Sequence, residues 1–223
     1  MNITQKIAFP LLAASSTFVL WGGVTAAPSY ASGFFGNLPS NDGVFTNVGT
    51  GATLVKAVSF TLPTGNDYSL SSVILRLDSY DSGDIPVLTI RNDTGGLNPG
   101  STVLASFTNP TPLGAGSFDY TFNPSSAFTF QAGTKYWLNL GISAGSIDWF
   151  GSIPRVAPTG TPTFGAYRST TNGTTFNNSS TYNSFQINAT EQIQNVPEPS
   201  SVMGLFALMG ITLLVSRKKS DLN

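Results

Sequence analysis

The sequence predicts an all-β fold, a two-sheet antiparallel sandwich of jelly-roll type, flanked by an N-terminal signal peptide and a short C-terminal transmembrane helix. Three observations predict it. No stretch of the middle sustains apolar residues at i, i+3, i+4 and i+7, and Gly, Pro, Asn and Ser-Thr clusters break most windows that could turn helical. Apolar and polar residues instead alternate over short runs, the period of a strand with one buried face. Turn-forming residues separate those runs at the spacing of a sandwich or jelly roll. The 223 residues suit one domain with tails, and 40% hydrophobic with 12% aromatic residues are enough for a core.

The first segment, residues 1–31, places Lys6 before an apolar run from Ile7 to Val24 and then small residues. That is the layout of a secretory signal. Small side chains one and three positions before the cut allow cleavage after Ala26, Ala27 or Ala31, of which Ala31 is the preferred site. An uncleaved anchor is the alternative, although Pro10 and the Ser15-Ser16-Thr17 break suit a short signal core better than a spanning helix.

The domain itself spans residues 32–195, and about nine short strands are expected in it. They are Leu54 to Phe60, Val73 to Leu77, Val87 to Asn92, Val103 to Phe107, Ser117 to Phe122, Lys135 to Ile142, Ile147 to Phe150, Phe164 to Arg168 and Ser184 to Ala189. The clearest alternation puts Tyr136, Leu138, Leu140 and Ile142 on one face and Trp137 with Asn139 on the other. Phe118, Tyr120 and Phe122 form a second inward row, and Val73, Leu75 and Leu77 a third. Turns fall at Pro63 to Asp67, Asp93 to Gly100 and Asn109 to Pro112, where Gly supplies positive φ and Pro presets negative φ. Thr159 to Asn183 is rich in Thr, Asn, Ser and Gly and reads as one long hairpin or a mobile loop.

The tail, residues 196–223, has three parts: Pro197-Glu198-Pro199, an apolar span from Ser201 to Val215, and the basic cluster Arg217-Lys218-Lys219. The two prolines hold Glu198 on an extended stretch. The span of about fifteen residues would make a helix of only about 22 Å, short for a hydrocarbon core of about 30 Å, and so suits transient anchoring. Basic residues directly after it favour a cytoplasmic end. The order of these parts resembles the PEP-CTERM sorting signal of Gram-negative bacteria. The resemblance implies export by signal peptidase, transient retention in the inner membrane, and processing at Pro197, Glu198 and Pro199 by an exosortase-type protease. It further implies a final place at the cell surface or in an extracellular, exopolysaccharide-containing matrix. An ordinary single-pass anchor after a proline linker is the plainer alternative.

The middle resembles a second family, the choice-of-anchor R domain of exported bacterial proteins. The residues that carry this are Val87 to Ser101, Phe130 to Leu138, and Asp148-Trp149 after a glycine-bearing turn. The resemblance implies an exported surface or matrix module and no particular activity.

Composition excludes much chemistry. With no His and no Cys there is no Ser-His-Asp triad, Cys nucleophile, disulfide or ordinary zinc or haem site. No catalytic residue, metal or other cofactor is expected. A formal net charge of −1 gives no footprint for nucleic acid. Within residues 32–195 six cations face nine anions, a net of −3. An Asp-dependent glycoside hydrolase is the least favoured reading, since it needs two facing carboxylates and the domain's single Glu, Glu191, lies at its edge. Asp78, Asp81 and Asp84 could offer oxygens to calcium, but they miss the EF-hand register and a solvated strand end and turn is the favoured reading, since Asp and Gly are ordinary turn residues. The remaining candidates are aromatic: Trp137, Trp149 beside Asp148, and Tyr167 beside Arg168 could stack sugar rings if exposed. If the strands that carry them are covered on both sides, the same rings are core. The expected function is therefore a non-enzymatic exported surface or matrix protein associated with exopolysaccharide, the alternative being a carbohydrate-binding module that uses exposed aromatics.

Overall fold

A computed structural model describes residues 33–49 and 54–193, so the signal segment and the sorting tail, including Pro197, Glu198 and Pro199, lie outside the described residues. The described chain is all-β and antiparallel, a strongly curled sheet with no helix. No helix among the described residues is long and apolar enough to cross a membrane.

Fourteen strands form it. They are β1 (Phe35–Gly36), β2 (Val44–Gly49), β3 (Val55–Thr61), β4 (Asp67–Asp78), β5 (Ile85–Asp93), β6 (Pro99–Thr108) and β7 (Phe118–Pro124). The rest are β8 (Thr129–Phe130), β9 (Lys135–Ala144), β10 (Ser146–Gly151), β11 (Thr159–Gly160), β12 (Thr163–Thr170), β13 (Asn177–Asn178) and β14 (Phe185–Gln192). Hydrogen bonds run through the order β11-β1-β14-β4-β7-β6-β5-β9-β3-β12-β13, with β10 joined to β2 and β4, and β8 joined to β4. The link between β6 and β7 is narrow, pairing only Phe107 with Pro124 and Thr108 with Asn123.

All nine expected strands are present, β4 and β6 being markedly longer than expected. The expected inward rows are also found: Tyr136, Leu138, Leu140, Tyr120, Phe122, Val73, Leu75 and Leu77 are buried, with Ile142 and Phe118 half-buried at the ends. In β4 the parity changes, because Asn188 pairs with Ser72 while Ala189 pairs with Leu70. Ser71 is thus an extra residue, and a bulge of one residue moves the buried set from odd to even positions so that Leu70 faces in as well. The Thr159 to Asn183 segment holds the expected hairpin: β13 returns along β12, Arg168 opposite Asn178 and Ser169 opposite Asn177. Its turn is closed by Asn172, whose Oδ1 accepts from the amides of Thr174 and Thr175, while Gly173 takes a φ of +76°.

The core is aromatic. The Phe60 ring lies 5.3 Å from Phe35, 5.6 Å from Phe130 and 6.1 Å from Tyr136. Phe35 and Phe130 belong to strands that do not pair with β3, so these contacts cross the inside of the curl. Pairs at such centroid distances add to the stabilisation from burial.

Candidate functional site

β9 lies between β3 and β5, and its residues Tyr136 to Gly141 are buried on both faces. On the face away from the core, cross-strand register builds a small array. One row runs Thr89, Asn139, Ala57 and Arg168; a second runs Val87, Gly141, Val55 and Thr170; a third sets Arg91 and Ser59 on either side of Trp137. Two adjoining cavities of about 330 and 300 Å³ open over this array and share Val55, Arg91, Asn139 and Gly173. Gly100 and Ser101 at the start of β6 line the first, together with Thr174 and Phe176 from the β12–β13 turn. Gly141, having no side chain, lines the second with Thr89 and Val87.

Polar atoms in this array lack partners. Asn139 is only 4% exposed, and its Oδ1 accepts no hydrogen bond. Arg91 directs Nη1 towards the carbonyls of Gly100 and Ser101 at 3.5 and 3.4 Å, while its Nε donates to nothing. Arg168, in the same row as Asn139, also has an unpartnered Nε. Of the four buried side-chain atoms without a partner among the described residues, three therefore sit on one face of one sheet. An unanswered buried polar group costs about 1–3 kcal/mol, so such clustering needs a physical reason. A hydroxylated ligand in the groove would supply one, since its hydroxyls both donate and accept. Among the described residues neither cavity is lined by a carboxylate.

The aromatic candidates are elsewhere in function. Trp137 is 1% exposed; its Nε1 donates to Asp93 Oδ1 at 2.8 Å and Lys135 Nζ covers the ring at 5.0 Å. Trp149 is wholly buried on the inward side of β10, donating to the Ser184 carbonyl at 2.8 Å. Tyr167 is 2% exposed, stacked on Tyr182 at 4.9 Å and donating to the Asn183 carbonyl at 2.6 Å. Of the two readings of these rings, exposed platform or core, the packing is that of core: each is buried and its polar end is answered by protein. The residues that line the groove instead, Arg91 and Asn139, carried a signal of their own. Asn139 is a polar residue between Leu138 and Leu140, and Arg91 follows Leu88-Thr89-Ile90 as the first charge of its strand, both on strands at the centre of the sheet.

The three aspartates of the β4–β5 turn behave as turn residues. Asp78 accepts from Ser117 Oγ at 2.9 Å and the Gly116 amide at 3.2 Å, Asp81 Oδ1 from the Gly83 amide at 3.1 Å, and Asp84 from the amides of Asp81 at 2.9 Å and Ser146 at 2.8 Å. Among the described residues no group of three or more Asp, Glu, His or Cys converges as a metal site would require. No protein-family model, no curated protein and no solved structure matches the chain.

Proposed function

We propose that the chain is a non-enzymatic, exported bacterial surface or extracellular-matrix protein whose β domain holds polysaccharide in the groove over β5, β9 and β3. The observation that carries the binding role is the Asn139 carboxamide, buried, lining both cavities and with its oxygen unpartnered. The tail supports the destination: Pro197-Glu198-Pro199, a short apolar span and a basic end are the parts of a PEP-CTERM-type signal. Signal peptidase and an exosortase-type protease act on the two ends, with transient anchoring in the inner membrane between them.

The finer reading of the curled sheet is a two-sheet sandwich of jelly-roll type. One sheet is β11-β1-β14-β4-β7 with β8, β10 and β2, and the other is β6-β5-β9-β3-β12-β13. The Phe60 contacts to Phe35 and Phe130 support that division. On this reading the groove lies on the outer face of the second sheet, away from the shared core.

Two experiments test the proposal. Full-length chain in detergent, run through gels that contain the native host's exopolysaccharide, should be retarded, and Asn139→Ala should run as in a blank gel. Equal mobility of both proteins in both gels would remove the binding role. Fractionation of the host should find the β domain at the surface or in the matrix without residues 201–223. Quantitative recovery of the intact C-terminus in the inner membrane would remove the sorting role.

A further inference from the structure

We infer, resting on the glycan reading above, that the groove is built for an acidic polysaccharide, with Arg91 taking a sugar carboxylate and Asn139 accepting from a neighbouring hydroxyl. The first ground is charge. Residues 32–195 carry a net charge of −3, yet among the described residues the only charged side chain lining either cavity is the guanidinium of Arg91. No carboxylate pairs with Arg91 among the described residues, whose ion pairs are formed by Arg76 and Lys135. The nearest carboxylate along β5, Asp93, is already engaged by Lys135 Nζ at 2.9 Å and by the Trp137 indole.

The second ground is geometry. The Gly100 and Ser101 carbonyls face Nη1, and among the described residues no hydrogen bond engages the Nε–Nη2 edge of the guanidinium, whose Nε is buried and unpartnered. That edge offers two parallel N–H groups, the fork that matches both oxygens of a carboxylate. Asn139 is diagonal to Arg91 in the ladder, since Arg91 pairs with Trp137 and Thr89 with Asn139. Diagonal neighbours are about 7–8 Å apart, near enough for one sugar unit and its linkage to meet both. Arg168 stands two strands beyond Thr89's partner Asn139 in the same row, unpaired, and adds positive potential at that end.

The test compares polygalacturonate, highly methyl-esterified pectin, dextran and dextran sulfate as gel-bound probes for the full-length chain. Polygalacturonate should be bound at least tenfold more tightly than methyl-esterified pectin, which is the same polymer with its carboxylates masked. Arg91→Gln should abolish that preference and Arg91→Lys, lacking the fork, should recover it only in part. Added salt should weaken binding of polygalacturonate and leave any dextran binding unchanged. Equal affinity for the free and esterified polymers, still sensitive to Asn139→Ala, would overturn the carboxylate inference and leave the glycan reading standing. Dextran sulfate bound as tightly as polygalacturonate, with Arg91→Lys equal to the natural protein, would reduce it to unspecific charge attraction. Absence of retardation by all four probes and by host exopolysaccharide would remove the site and the reading together. The comparison of esterified with free polymer needs no substitution, so a variant that fails to fold does not affect it.

Discussion

The indole nitrogen of Trp137 donates to Asp93 Oδ1 at 2.8 Å, and Lys135 Nζ reaches the same oxygen at 2.9 Å while lying 5.0 Å above the indole ring. This three-residue cluster pins the end of β5 to the start of β9. Burial by itself would raise the Asp93 carboxyl, but hydrogen bonds from Trp137, Lys135 and the Gly95 amide outweigh it and hold the group below the ordinary carboxylate value. A carboxyl lowered in the folded state stabilises the fold above its unfolded pKa of about 3.9, and that contribution disappears as the pH falls through the lowered native value. Asp93→Asn should therefore cost about 1.5–3 kcal/mol at pH 7, the range for hydrogen bonds to a charged group, and progressively less below pH of about 4. Urea unfolding of both proteins across that interval checks it. A constant difference between them would show that the charge is irrelevant.

Lys56 gives a slope of the same sign at higher pH. The side chain is fully buried on β3, donates to Ser179 Oγ and to the Thr181 carbonyl at 3.0 Å, and lies 5.6 Å from the Tyr167 ring centre. No carboxylate pairs with it among the described residues. Desolvation pushes its pKa down from 10.5 to about 7. The unfolded chain then binds more protons than the folded one between those limits, so stability should rise as the pH goes from about 7 towards 10.5, at no more than about 1.4 kcal/mol per pH unit. Lys56→Met should remove this slope and be relatively most stabilising below pH 7. Parallel pH profiles for the two proteins would refute the shift.

The fold was legible because alternation is strong where one face meets the core, as at Phe118-Asp119-Tyr120-Thr121-Phe122. β1, β8, β11 and β13 were not, since two residues have no period. β2 was missed for another reason: Phe45 points outward, half exposed, and packs 5.6 Å from Phe150, so the Val44–Gly49 strand does not separate apolar from polar residues by face. The side chains that the sequence singles out are not those that line the groove. Trp137, Trp149 and Tyr167 have the chemistry of sugar platforms, but whether a ring is covered depends on what packs over it, and Asp93 and Tyr182 come from other segments. Arg91 and Asn139 looked like irregularities in strands, and only the pairing of β5 with β9 shows that they share a groove.

Tyr167 tests the anchoring of the segment that follows β13. Its hydroxyl donates to the Asn183 carbonyl at 2.6 Å in a buried setting, and burial raises its pKa well above the ordinary tyrosine value. Tyr167→Phe keeps the ring contacts and leaves that carbonyl without this donor. A loss of about 1–2 kcal/mol is expected, with no effect on polysaccharide retention because the ring lies on the core side. Thermal melts and the retardation assay on one preparation separate the two outcomes. A variant that lost binding while keeping its melting temperature would return Tyr167 to the site.

Two glycines divide stability from binding. Gly151 ends β10 opposite Val44 and also bridges to Asn183; a methyl group there would run into the Tyr182 carbonyl and come within 3.1 Å of its carbon. Backbone cannot swing aside as a side chain does, so Gly151→Ala forces β10 apart from the chain at Tyr182, at a cost of roughly 2–3 kcal/mol by analogy with overpacked sites. For a domain of this size that is a fall of about 4–12 °C in melting temperature. Gly141 is different. A methyl group there would sit 3.3 Å from the Leu54 carbonyl and 3.5 Å from Val55 Cγ2, a tight contact that small shifts relieve, and it would project into the cavity shared with Thr89 and Val87. Gly141→Ala should leave the melting temperature within about 3 °C, equivalent to about 1 kcal/mol, while weakening retention by polysaccharide several-fold because the floor of the groove has been raised. A Gly141→Ala that binds normally would place the ligand away from β5, β9 and β3, and an unshifted melt of Gly151→Ala would show that the Tyr182 backbone gives way.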